Sequence, residues 1–169
     1  IGSGLVGSEM CIRDSSMGTL IQTVFETQAA ELRMLGYLGC DVTTLGNHEF
    51  DYRSKGLANM LTSAQASGDA VPAMVVCNVD WDTMEAEGLT EGQQRLKDAF
   101  AAYGVSDYTV LEKGDVDIAV VGVFGKDALA CAPTCELKFE DSIEAVKQTV
   151  ADIKANEDVD MIVCVSHSG

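Results

Sequence analysis

From Met17 onward, apolar and polar positions alternate between two regular periods. Leu20, Ile21, Val24, Phe25, Leu32 and Leu35 fall mostly at helical spacing, and Gly36 and Gly39 mark the stop. The short run 41-DVTTL-45 then reads as a buried strand ending at Gly46. A second helix is expected over about residues 55–66, with Leu57, Met60 and Leu61 on one face. The run 73-AMVVCNV-79 reads as a second buried strand. Residues 80–92 are acidic and contain glycine, so they read as a loop, with Trp81 as a packing anchor. A third helix covers about residues 93–103. The stretch 107-DYTVLEKGDVDIAVVGVFG-125 reads as strand, Gly-Asp turn and strand, a hairpin. Asp141 caps a fourth helix running to about Asn156, with Glu144 at the capping-box position. The last element, 160-DMIVCVS-166, is an apolar strand.

Strands alternating with helices predict a layered α/β domain, and the hairpin near residue 114 means that the sheet is not purely parallel. Ligands in such sheets bind beyond the carboxyl ends of the strands. The two histidines of the chain, His48 and His167, both lie there, each directly after an apolar run. An imidazole so placed is a metal ligand or a proton-transfer group. Asn47 beside it offers a neutral amide oxygen. Gly46 permits a sharp turn between strand and site. Asp51, three residues beyond His48, can accept its other ring N–H and fix its tautomer. Glu49 reads as an acceptor that stabilises the loop rather than as a ligand.

Composition narrows this picture. The chain has 169 residues with 11 basic and 27 acidic side chains, a net charge of −16. That excludes a nucleic-acid polymer as partner, which needs a basic face. It also suggests that an anionic substrate binds through metal cations. No apolar run is long enough to span a membrane. Of the six cysteines, Cys40, Cys77 and Cys164 sit in apolar runs and read as buried small hydrophobes; Cys131 and Cys135 either pair or remain free thiols. Met34, Met60 and Met74 read as core fillers, Arg33 and Arg53 as solvated surface residues, and Gly125-Lys126-Asp127 as a strand-end turn rather than a phosphate loop opened by 122-GVFG-125.

Both ends read as irregular. Residues 1–13 show no periodicity and no signal-peptide pattern, and resemble translated sequencing adapter, a non-native leader. The chain stops directly after an apolar strand, as an interior piece of a longer protein would.

The run Gly46-Asn47-His48-Glu49-Phe50-Asp51 resembles the Gly-Asn-His-Glu/Asp signature of calcineurin-like metallophosphoesterases, with the Phe-Asp extension of the 5′-nucleotidase and 2′,3′-cyclic phosphodiesterase branch. Ser166-His167-Ser168-Gly169 is similar to a later strand-exit His motif of that branch. The resemblance covers about residues 14–169 and marks them as part of a catalytic domain. It implies a sandwich of two mixed β-sheets flanked by helices, incomplete at both ends. It further implies two divalent metal ions (Zn, Mn, Fe or Co) and hydroxide attack on the phosphorus of a nucleotide or other phosphate ester. Asn47 and His167 would be ligands of one metal. His48, oriented by Asp51, would stabilise charge and supply a proton. Asp14 has the spacing of the metal-bridging residue of Gly-Asp-x-x-x-Gly, but Arg13 replaces the leading glycine. The family's Asp-x-His and Gly-His-x-His motifs are absent from these residues. Little or no activity is therefore expected of these residues alone. Export to the cell envelope or exterior is implied for the parent. Two other readings compete. One is an inactive domain of the same fold kept for binding. The other is an esterase with an Asp14-Ser15 nucleophile block, which lacks its partner Asp before His167.

Overall fold

The computed structural model describes residues 9–11 and 20–168, with side chains from Leu20 onward. Two three-stranded sheets carry the site. The first contains β1 (Glu9–Cys11), β2 (Cys40–Thr43) and β3 (Ala73–Met74) in that order, all parallel. The second contains β4 (Tyr108–Lys113), β5 (Val116–Phe124) and β6 (Met161–His167), also in chain order. It is mixed, because β4 and β5 form the expected hairpin and β6 adds parallel to β5. Gly114, at φ 65°, turns the hairpin in a conformation that glycine adopts without steric cost. Val42, Val75, Val120 and Val165 form a buried cluster between the sheets. Branched aliphatics suit this place because they pack well on a pleated face.

The helices cover the sheets much as the periodicity predicts. The longest are α3 (Arg53–Ser67), α5 (Glu91–Tyr103) and α7 (Ser142–Asn156). In α3, Leu57, Met60, Leu61 and Ala64 are buried. Thr90 and Gln93 close a reciprocal capping box on α5. Asp141 caps α7 by accepting the Ile143 and Glu144 N–H groups, whereas the Glu144 side chain pairs with Lys147. Among the described residues, seven α-helices with one parallel and one mixed sheet give the layered α/β sandwich expected from the sequence. Among the described residues, no helix is long and apolar enough to cross a membrane.

Four expectations need correction. The first helix is broken: a 3-10 turn (Leu20–Val24) leads into α1 (Phe25–Gln28), and α2 (Ala30–Tyr37) starts anew after Ala29, which sits at φ 45°. Residues 80–92 are not a loop. They contain α4 (Trp81–Glu87), capped by the Asp80 carboxylate on Thr83 N–H and anchored by buried Met84. Only two apolar residues face inward, too few to show a period. The run 73–79 is a ladder strand only over Ala73–Met74. Beyond it the chain leaves the first sheet and runs beside β5, where Cys77 N–H donates to Gly122 O at 2.8 Å. A Cβ on Gly122 would stand 1.9 Å from Val75 O, so only glycine allows this crossing. Finally, Met34 and Cys164 are exposed rather than buried. Met60, Met74 and Cys40 are core residues as expected, and Trp81 packs edge-on against Phe100.

Candidate active site at two strand exits

After β2 the chain runs through Thr44, Leu45 and Gly46 into a 3-10 turn, Asn47–Phe50. Gly46 itself is extended (φ −114°, ψ 178°), so the turn is made by the residues after it and not by glycine freedom. Glu49 closes the turn. Its carboxylate is fully buried and accepts the Gly46 N–H at 2.7 Å, the loop-stabilising role expected of it. Burial of an ionised group is tolerable only with such donors. Phe50 enters the core, with its ring 5.8 Å from that of Phe124. The Thr134 hydroxyl donates to Phe50 O at 2.6 Å, so the loop 131–135 ties down the same turn. Its cysteines, Cys131 and Cys135, are separate thiols.

Within this turn His48 Nδ1 donates to Asp51 Oδ2 at 2.9 Å. A carboxylate can only accept, so the ring proton resides on Nδ1. Both side chains are partly exposed.

The second strand exit arrives from far along the chain. His167 is the last residue of β6, beside Phe124 at the end of β5. Its Nε2 donates to Asn47 Oδ1 at 2.9 Å, across 120 positions of sequence. Two residues fix this approach, and neither was singled out from the sequence as a site residue. Gly125 N–H donates to His167 O at 2.8 Å, and a Cβ on Gly125 would stand 2.5 Å from Ser168 Cα. Buried Asn78 makes a pair of bonds to the main chain of Phe124, accepting its N–H at 3.0 Å and donating to its carbonyl at 2.8 Å. The glycines of 122-GVFG-125 are explained by close packing, and the turn expected at Gly125-Lys126-Asp127 is the start of the helix Lys126–Ala130.

The structure therefore brings Asn47, His48, Asp51 and His167 to one place. Asp14 lies outside the described residues. Among the described residues, no group of three His, Cys, Asp or Glu side chains is arranged to hold a metal. The Asn47–His167 pair nevertheless suits a cation. Its donors are spaced like neighbouring ligands on one ion with bonds of about 2.1 Å, and an amide oxygen with an imidazole nitrogen is a neutral N/O set.

One buried acid stands near this turn. Glu31 on α2 is 6 % exposed, and neither of its carboxylate oxygens has a hydrogen-bond partner among the described residues. Burial pushes its pKa up, and the nearby Glu49 charge adds to the shift.

No protein-family profile matches the chain. An apyrase of Anopheles gambiae is 33% identical over 129 residues, covering 76% of this chain and 20% of the apyrase. The trifunctional nucleotide phosphoesterase protein YfkN of Bacillus subtilis is 27% identical over 152 residues, 83% of this chain and 10% of that protein. The crystal structure of the 5′-nucleotidase precursor from Thermus thermophilus superposes with a TM-score of 0.64 at 27% identity, covering 90% of this chain and 26% of that one. The chain is a homologue of the 5′-nucleotidases and apyrases. It spans between about a tenth and a quarter of the length of the curated relatives it matches. The 5′-nucleotidase homology agrees with the resemblance carried by residues 46–51.

Proposed function

We propose that the natural protein is a metal-dependent phosphoric ester hydrolase acting on nucleotides, and that residues 14–169 form part of its catalytic domain. The observation that carries this reading is the convergence of Asn47 Oδ1 and His167 Nε2 at 2.9 Å beside the His48–Asp51 pair. The names of the relatives support it, since they are nucleotide phosphoesterases, apyrases and 5′-nucleotidases.

In this reading Asn47 and His167 would hold one of two divalent ions (Zn, Mn, Fe or Co), and Asp14 would be a further ligand. Such ions would supply Lewis-acid charge to the phosphoryl group and acidify water. The chain's own part is carried by His48. Asp51 keeps its Nδ1 protonated and the ring oriented, and stabilises the imidazolium when Nε2 gains a proton. The protonated ring then donates to a phosphoryl or leaving-group oxygen as negative charge develops there. Gly125 and Asn78 position His167, and Glu49 positions Asn47. Among the described residues, Asn47 and His167 are the donors found for such an ion, so hydrolysis by these residues alone is expected to be weak or absent. An extracellular or cell-envelope location fits the precursor form of the Thermus relative.

The test is His48→Ala in the natural protein. Hydrolysis of nucleoside monophosphates should fall by about 10²–10⁴-fold, the range of a lost general acid, while metal content stays close to normal. Activity that survives the change would remove His48 from the mechanism.

A further inference from the structure

Among the described residues, two that are not glycine occupy the left-handed region: Ala29 at φ 45° and Arg53 at φ 59°. L side chains rarely adopt it. Ala29 is explained by its place, since it is fully buried in the core at the break between α1 and α2. Arg53 is not. It opens α3 two residues after Asp51, its side chain is exposed, and its guanidinium has no hydrogen-bond or ion-pair partner among the described residues. The other two described arginines are both engaged, Arg33 with Asp69 and Arg95 with Glu91. Asp51, the acid closest in sequence to Arg53, is taken by His48. The junction into α3 explains the backbone angle, and glycine would meet it without conflict. Nothing in the packing explains an arginine.

The surroundings give the arginine a use. Tyr52 is clamped: its ring stacks on Phe25 at 5.4 Å, and a Cβ on Gly56 would stand 2.2 Å from Tyr52 Cβ. The backbone of residues 51–53 is thus fixed at the edge of the His48–Asp51 pair. The chain carries a net charge of −16, which repels an anionic substrate unless cations are placed locally. A guanidinium is suited to phosphate oxygens because its planar fork donates two parallel hydrogen bonds.

We propose that Arg53 binds the phosphate group of the substrate on the His48 side of the site, and that the left-handed backbone there is tolerated for that contact. This rests on the phosphoesterase reading given above. Because the contact is to phosphate and not to a base, it should act equally on AMP and p-nitrophenyl phosphate.

The experiment compares the natural protein with Arg53→Gly and Arg53→Lys. It reads KM and kcat for both esters, the inhibition constant of inorganic phosphate, and the melting temperature. Arg53→Gly should raise KM and the phosphate constant by about tenfold, more than it lowers kcat, for both esters. Its melting temperature should not fall, because glycine relieves the backbone. Arg53→Lys should lie between the two. Unchanged KM and phosphate affinity in Arg53→Gly would overturn the proposal. If the natural protein hydrolyses neither ester, the phosphoesterase reading falls, and calorimetry with inorganic phosphate decides Arg53 separately. Binding that Arg53→Gly abolishes would keep the anion contact, and absence of binding in the natural protein would overturn it.

Discussion

The two strand exits that meet at the site are built in opposite ways. The exit of β2 is local: Gly46 to Glu49, and His48 to Asp51, are bonds spanning three residues each. The exit of β6 is made by the rest of the molecule. His167 finds Asn47 across 120 residues, and it is set there by Gly125 at the end of β5 and by Asn78 from the segment that crosses between the sheets. The proton donor proposed at His48 is oriented by a local motif with little help from the fold. The ligand position proposed for Asn47 and His167 needs the whole packing of both sheets, so it should fail first when that packing is disturbed.

That difference is tested most severely on the β6 side. Gly125→Ala places a Cβ 2.5 Å from Ser168 Cα, and the main chain must shift to accept it. Overpacking of this kind costs about 1–3 kcal/mol. Because His167 is bonded to the same glycine, activity should fall by about 100-fold, in the range of losing a group that orients a metal ligand. Denaturant unfolding and steady-state kinetics check both parts. If activity is retained while stability falls, Gly125 supports the fold and not the site.

On the β2 side the expected loss is smaller. Asp51→Asn keeps the shape but removes the negative charge facing His48 Nδ1, and its amide can present a donor there in place of an acceptor. Hydrolysis should drop by about tenfold, with the pH dependence of kcat altered and thermal stability unchanged within about 0.5 kcal/mol. An unaltered pH profile would mean that Asp51 does not act through His48.

The smallest effect is expected behind the β2 turn. Glu31 has its pKa raised by burial and by Glu49. Between the unfolded and the raised folded pKa the native state binds more protons, so stability falls as pH rises through that window. Glu31→Gln should therefore raise the melting temperature near neutral pH, and the gain should vanish near pH 4, where the wild-type carboxyl is largely protonated in both states. A loss of stability at neutral pH would show that the ionised carboxylate is used.

How much was legible follows the same division. The pairing of His48 with Asp51 and the acceptor role of Glu49 could be read from spacing, because their partners lie within one turn. The cap at Asp141 was legible for the same reason. The placing of Asn47 and His167 on one ligand position came from the family resemblance, since no period in the sequence encodes a contact over 120 residues. The short helix α4 was missed because only Trp81 and Met84 anchor it. The strand 73–79 was overextended because an apolar run looks the same whether it pairs in a ladder or crosses between sheets. Gly125 reads as the start of a turn and Gly122 has no role legible in the sequence, although their neighbours show that each makes room for another main chain.

Everything proposed for the site depends on Asn47 and His167 sharing one cation while His48 serves the substrate. Calorimetric titration decides this, with Mn²⁺ or Zn²⁺ added to the metal-stripped natural protein and to Asn47→Ala, His167→Ala and His48→Ala. Asn47→Ala and His167→Ala should weaken the same binding step by at least about tenfold, whereas His48→Ala should bind as the natural protein does. If His48→Ala weakens metal binding as much as the other two, or if Asn47→Ala and His167→Ala leave it intact, the shared-cation reading is wrong.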